Sequence, residues 1–232
     1  MNAPLSLEAF NTFIHRLYEA SVSAEQWPAC LENVADLLGA DSAGLTVHFA
    51  QSAKGAMLMA RFDPSLQAEY DQYYCRVNVW KNRFGHLYQQ GKVLNSAALC
   101  TGKELERTEW YNDFLRRAGG YHSMGAVLIR DEDLTCVVTV LRGQGNGAFE
   151  DEQSTLELVA PHFRRAVQIH QMVANYQTVT QALESLPTAV FVLDLEFQVR
   201  YHNARAEALL RQADGIGLAQ GKSSASNIIC LL

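Results

Sequence analysis

The chain has 232 residues, 48% hydrophobic and 19% charged, with a formal net charge of −6; these proportions exclude a disordered polymer, and the acidic balance without any Lys/Arg-rich block argues against an extended phosphate-binding surface. The opening "MNAPLSLEAFNTFIHRL" lacks the basic-then-apolar order of a secretory signal, and no apolar run approaches the ~18 residues needed to span a bilayer. The five cysteines (Cys30, Cys75, Cys100, Cys136 and Cys230) are scattered without a C-x-x-C pair, so reduced thiols in a cytoplasmic protein are expected, with no membrane partner.

Phe10, Phe13, Ile14 and Leu17 recur at helical spacing and predict a helix over 7–20; Trp27, Leu31, Val34 and Leu38 predict a second over 25–38, stopped by Gly39. Ala43, Leu45, Val47 and Phe49 then alternate with Gly44, Thr46 and His48, the period of a strand with one buried face. A second strand is expected over 56–62 after the turn "QSAKG". Pro64 sits well in a first helical turn and opens a stretch, 64–84, crowded with Tyr70, Tyr73, Tyr74, Trp80 and Phe84. "TEWYNDFLRRAGG" predicts a helix presenting Trp110, Phe114 and Tyr111 and ending at Gly119–Gly120. Two strands follow over 122–130 and 134–142. "TCVVTVL" is apolar on both faces, as a central strand covered on both sides would be.

Glu150, Asp151 and Glu152 complement the dipole at the start of a long helix over 150–185. Its first apolar stripe is Leu156, Val159, Phe163 and Val167. A second, Ile169, Met172, Tyr176, Val179 and Leu183, steps three and four residues like a short heptad seam, and these five are the expected dimerisation residues of a homodimer. Pro161 predicts a bend in this helix without ending it. At about 1.5 Å per residue the helix would run roughly 50 Å, a rod longer than one small domain needs. The order of elements is that of an α+β protein, a central antiparallel sheet flanked by helices.

Residues 24–170 resemble a GAF-type sensor domain, above all in "GNGAFEDEQSTLELVAPHFRRAVQI". Residues 186–210, "AVFVLDLEFQVRYHNARAEALL" among them, resemble the opening of a PAS domain, with Asn203 capping its helix. Together with "LYEASVSAEQWPACLENVADLLGADSAGL" and "ERTEWYNDFLRRAGGYHSMGAVLIRD", these stretches resemble the amino-terminal half of LuxR-type bacterial transcriptional regulators over roughly 1–218. The resemblance implies a GAF-like sensor domain (1–160), a helical linker and dimerisation helix (161–185), a truncated PAS-like segment (186–218) and an atypical, disordered tail (219–232). A full PAS core takes on the order of 100 residues, more than the chain has left after Pro187, and no helix-turn-helix pattern follows. The expectation is a truncated product, contacting DNA only through a missing carboxy-terminal domain. The alternative is the sensor of a truncated signal-transduction enzyme, a histidine kinase or a cyclic-dinucleotide cyclase.

Concave aromatic surfaces with few polar groups are how such domains hold small molecules. The expected ligand-binding residues are Tyr70, Tyr74, Trp80, Trp110 and His122, although the same aromatics would serve equally as core between helix and sheet. The resemblance brings acyl-homoserine-lactone receptors into the comparison, where an Asp-Pro clasps the ligand; here Asn78–Val79 stands in that place, without the carboxylate that would hold an amide N–H. Cys75 and His86 have no third group to orient them as a nucleophile and base. The seven histidines, His15, His48, His86, His122, His162, His170 and His202, show no ligand spacing, and no phosphate-cradling glycine motif opens a helix. The chain is thus expected to be no enzyme and to carry neither metal nor cofactor.

Overall fold

The two strands with the clearest patterns become the middle of one antiparallel sheet. In the computed structural model, which describes residues 6–49, 55–212, 216–219 and 222–225, β1 (Ser42–Phe49), β2 (Gly55–Ala60), β3 (Val93–Asn95), β4 (His122–Arg130) and β5 (Leu134–Arg142) pair in the order β2-β1-β5-β4-β3. The doubly apolar β5 is central, as its composition requires, and it registers Leu45 against Val138 on β1 and Val138 against Ala126 on β4. The fold is α+β, with the GAF-like arrangement of helices on a five-stranded sheet.

One face of the sheet packs against α1 (Leu7–Val22), α2 (Trp27–Leu37) and the first part of α8 (Glu152–Ser185). Met124, Leu128 and Val138 from the strands meet Leu17, Leu31 and Phe163 from the helices, all essentially solvent-free. Each such side chain contributes roughly 1.5–3 kcal/mol by leaving water, which explains why these two amphipathic stretches and the first stripe of α8 read so clearly. Ser6 caps α1 through its hydroxyl, which accepts from Ala9 N at 3.1 Å, and Gly39 ends α2 region with φ +56.

The other face is covered by the segment 62–115, where the sequence is hardest to read. The expected single helical stretch 64–84 is broken into α3 (Pro64–Glu69), a π-helical turn (Tyr70–Tyr74), α4 (Cys75–Val77) and α5 (Val79–Phe84). Asn78 causes the last break: its backbone leaves the helix at ψ 107 and its Oδ1 caps α5, accepting from Trp80 N at 3.0 Å and Lys81 N at 3.2 Å. Trp110–Leu115 is likewise a π-helical turn, which brings Trp110, Tyr111, Phe114 and Leu115 all into the interior. β3, α6 (Ser96–Leu99) and α7 (Gly102–Leu105) lie where sequence patterning predicts no element, being too short to develop a period.

α8 starts at Glu152, two residues after the acidic run begins, and continues through Pro161, whose missing N–H leaves the Glu157 carbonyl without its helical donor. Arg142, at the end of β5, donates to the carbonyls of Leu38 and Gly39 and to the Glu152 carboxylate at 2.6 Å, with its guanidinium 4.1 Å from the Phe149 ring centre. The chain divides into two compact units, Met1–His170 and Gln171–Leu232.

In the second unit β6 (Phe191–Leu193) and β7 (Val199–His202) form a hairpin followed by α9 (Ala204–Arg211). Asn203 is fully buried; its Oδ1 accepts from Val190 N and Ala206 N, and its Nδ2 donates to the carbonyls of Leu183 and Thr188, so the amide is satisfied on both sides. β8 (Ile216–Ala219) and β9 (Lys222–Ala225) pair as a further hairpin. Of the tail expected over 219–232, residues 220–221 and 226–232, Cys230 included, lie outside the described residues, as do 213–215 of the PAS-like segment. Among the described residues no helix is long and apolar enough to cross a membrane.

Candidate functional site

The alternation of β1 divides its side chains between two environments, and the polar half proves informative. Ala43 joins the first core with Leu45 and Val47 packed on it, while Thr46 and His48 point to the opposite face, beneath the 62–115 segment. β4 and β5 repeat the pattern: Ser123 and Gly125, and Val137, Thr139 and Leu141, share that face. Together they form the floor of a cavity of about 80 Å³, with Met57 and Met59 of β2 on one side, and Leu94 of β3, Ser96 and Leu99 of α6 on the other. The roof is Tyr70, Asn78, Trp80, Trp110 and Phe114. Gly44 lets the Met59 side chain lie across β1, since a Cβ there would come within 1.9 Å of its sulfur.

The roof aromatics brace one another. Trp110 stacks on Phe114 with ring centres 4.7 Å apart, and Trp80 and Tyr70 meet Trp110 edge-on at 6.0 and 5.8 Å. Pairs in these arrangements are worth roughly 0.5–1.5 kcal/mol beyond burial, so the cavity is held open by a rigid frame. A polar chain crosses it: Asn78 Nδ2 donates to Tyr70 Oη at 3.4 Å, and Tyr70 Oη lies 3.3 Å from His48 Nε2. Ser96 Oγ accepts from Ser123 N at 2.8 Å.

No Asp, Glu, Lys or Arg lines the cavity. Burial, and behind it the charge of Lys81, pushes the His48 imidazole down to about 4, so it is neutral at physiological pH. Burial pushes the Tyr70 phenol well above its usual range against the opposing hydrogen bond from Asn78. The Tyr88 phenol is raised to about 12 by burial, with Arg130 opposing. The site is therefore uncharged, dry-walled and equipped for hydrogen bonding. It contains no nucleophile beside a base.

Of the residues expected from the sequence, Tyr70, Trp80 and Trp110 line the cavity together. Tyr74 packs outside it on Phe114, ring centres 4.9 Å apart, and His122 sits at the start of β4 against Tyr121 at 4.9 Å; neither is among the lining residues. Thr46, His48, Ser96, Ser123 and Thr139 escaped the sequence reading. A signal existed: polar and glycine positions at period two on strands whose other face is core mark a second covered face, because a solvent-facing sheet would carry charges there. Cys75 is buried in the second core, and burial raises the Cys30 and Cys136 thiols to about 12. Among the described residues no group of three or more His, Cys, Asp or Glu could hold a metal ion.

No protein-family model and no curated protein matches the sequence. The structure, in contrast, is similar to the ligand-binding domain of VqsR from Pseudomonas aeruginosa, with a TM-score of 0.53 at 17% identity over 71% of this chain and 98% of that one. It is similar as well to CepR2 from Burkholderia cenocepacia, an N-acylhomoserine lactone-dependent LuxR-family transcription factor, with a TM-score of 0.50 at 14% identity over 69% of this chain and 94% of that one. The GAF domain of an Acinetobacter phosphoenolpyruvate-protein phosphotransferase aligns at a TM-score of 0.44 and 13% identity over 73% of this chain and 98% of that one. The first two likenesses establish that the chain has the fold of LuxR-family ligand-binding domains, as its resemblance implied.

Proposed function

We propose that this chain is the sensory part of a LuxR-type transcriptional regulator, a non-catalytic cytoplasmic module that takes a small molecule into the cavity between the sheet and the 62–115 segment. The observation that carries this reading is the cavity itself: a preformed, uncharged space framed by braced aromatics in a fold shared with ligand-binding domains. Ligand held there would contact β1, β4 and β5 and the roof at once, and so favour whichever arrangement of these elements it fits best. The lactone dependence of CepR2 is not carried over, because Asn78 offers no carboxylate and its oxygen already caps α5.

The dimer of the proposal forms through the second stripe of α8. Met172 and Tyr176 are each 67% exposed and Val179 is 57% exposed, an apolar run at heptad spacing; Ile169 and Leu183 are half-buried. A thermal-shift screen of neutral metabolites on the wild type and on Thr139→Phe, which fills the floor, tests the reading. Compounds that raise the wild-type Tm and leave the variant unmoved are expected; equal shifts in both, or none, would refute a ligand in this cavity.

A further inference from the structure

The polar inventory around the cavity is unbalanced. Asn78 uses both ends of its amide, Oδ1 as the α5 cap and Nδ2 toward Tyr70, and Ser96 accepts from Ser123 N. The indole N–H groups of Trp80 and Trp110 are both buried, with no acceptor among the described residues. An indole nitrogen only donates. The hydrogen-bond chain adds a third donor: with Asn78 donating to Tyr70 Oη, the Tyr70 hydroxyl donates to His48 Nε2, which leaves the proton of the neutral imidazole on Nδ1, and Nδ1 too is buried without a partner. The buried atoms left over are donors, and the cavity wall supplies no formal charge of either sign.

Resting on the reading of the cavity as a ligand site, we infer that its ligand class is the uncharged, apolar-bodied oxygen acceptor, a ketone, ester, lactone or ether, whose oxygen receives the indole N–H of Trp80 or Trp110. A buried donor without an acceptor is costly, and a ligand oxygen removes that cost on binding, so recognition is strongest for molecules bringing acceptors. A carboxylate or an ammonium ion would surrender its hydration with no counter-charge in the wall. A space of about 80 Å³ has room for about five to eight water-sized groups at 10–15 Å³ each, which suits a small ring or a short branched chain bearing one carbonyl.

Four matched probes test this on the full chain: acetophenone, ethylbenzene, benzoate and benzylammonium, which share a ring and differ in acceptor and charge. The ¹⁵N-labelled chain gives three indole N–H signals, from Trp27, Trp80 and Trp110. Trp27 lies in the other core, outside the cavity, and serves as internal reference. Acetophenone is expected to move the Trp80 or Trp110 signal downfield, to leave Trp27 in place, and to bind about tenfold more tightly than each of the other three. Trp80→Phe and Trp110→Phe retain an aromatic ring and remove the donor. The variant lacking the responding donor should lose about tenfold in acetophenone affinity while its ethylbenzene affinity holds, with an unmoved Trp27 signal confirming the fold. Equal binding of ethylbenzene, or tighter binding of benzoate or benzylammonium, would overturn the acceptor class and leave the cavity reading standing. If no probe moves either cavity tryptophan, the cavity is not a ligand site and the inference falls with it.

Discussion

His48 shows how one side chain links cavity and stability. It is 7% exposed, and its pKa is held at about 4 against an ordinary 6.5, first by burial and then by Lys81. Between those values the unfolded chain takes up a proton that the folded chain refuses, so stability is fully present above pH 6.5 and falls as the pH drops toward 4, by roughly 3 kcal/mol for this group alone. Urea unfolding from pH 7.5 to 4.5 should show that loss, and His48→Gln should flatten the slope; parallel profiles for the two proteins would mean that the imidazole is not shielded as described. The residue also marks a boundary in what the sequence reveals. Its alternation with Leu45 and Val47 is visible, yet a polar residue on a strand's second face reads first as solvent-exposed. Only the cover supplied by Tyr70 and Trp80, some thirty positions on, turns it inward.

The elements that formed as expected are those whose burial repeats along their own length. α1, α2, β4, β5 and the first half of α8 each present several core residues at a fixed period, and tertiary packing only reinforces that pattern. The roof differs because its geometry is decided by single residues: Asn78 breaks a helix by capping the next, and two π-helical turns shift which aromatics face inward. Where elements meet, Arg142 does the joining. Its guanidinium is 8% exposed and the Glu152 carboxylate 12%, and it also serves the carbonyls that end α2. Burial pushes the Glu152 carboxyl up, but hydrogen bonds from Arg142 and from backbone N–H groups outweigh it and hold the group below the usual range. Arg142→Leu leaves that carboxylate and several carbonyls without their donor and should lower unfolding free energy by about 3–5 kcal/mol, with Arg142→Leu/Glu152→Leu recovering part of it. A loss under about 1 kcal/mol on urea unfolding would show that the pair does not anchor the start of α8.

At the scale of the whole molecule the account assigns sensing to the first unit and self-association to the helix that continues into the second. Tyr176→Glu places a charge in the middle of the exposed stripe and disturbs no buried contact, so light scattering on the full chain should report a dimer for the wild type and a monomer for the variant; the same mass for both would remove α8 from the interface. The fold class and the receptor-like character were legible in the sequence because they rest on periodicity and on aromatic density. The cavity was not, because it arises from facing surfaces contributed by β1–β5 and a segment with little pattern of its own. The most direct test is native mass spectrometry of the full chain after incubation with an organic extract of bacterial culture, beside Thr139→Phe. The account predicts one small molecule per wild-type chain, released on denaturation and missing from the variant. The bare protein mass in both, or the same adduct in both, would contradict it.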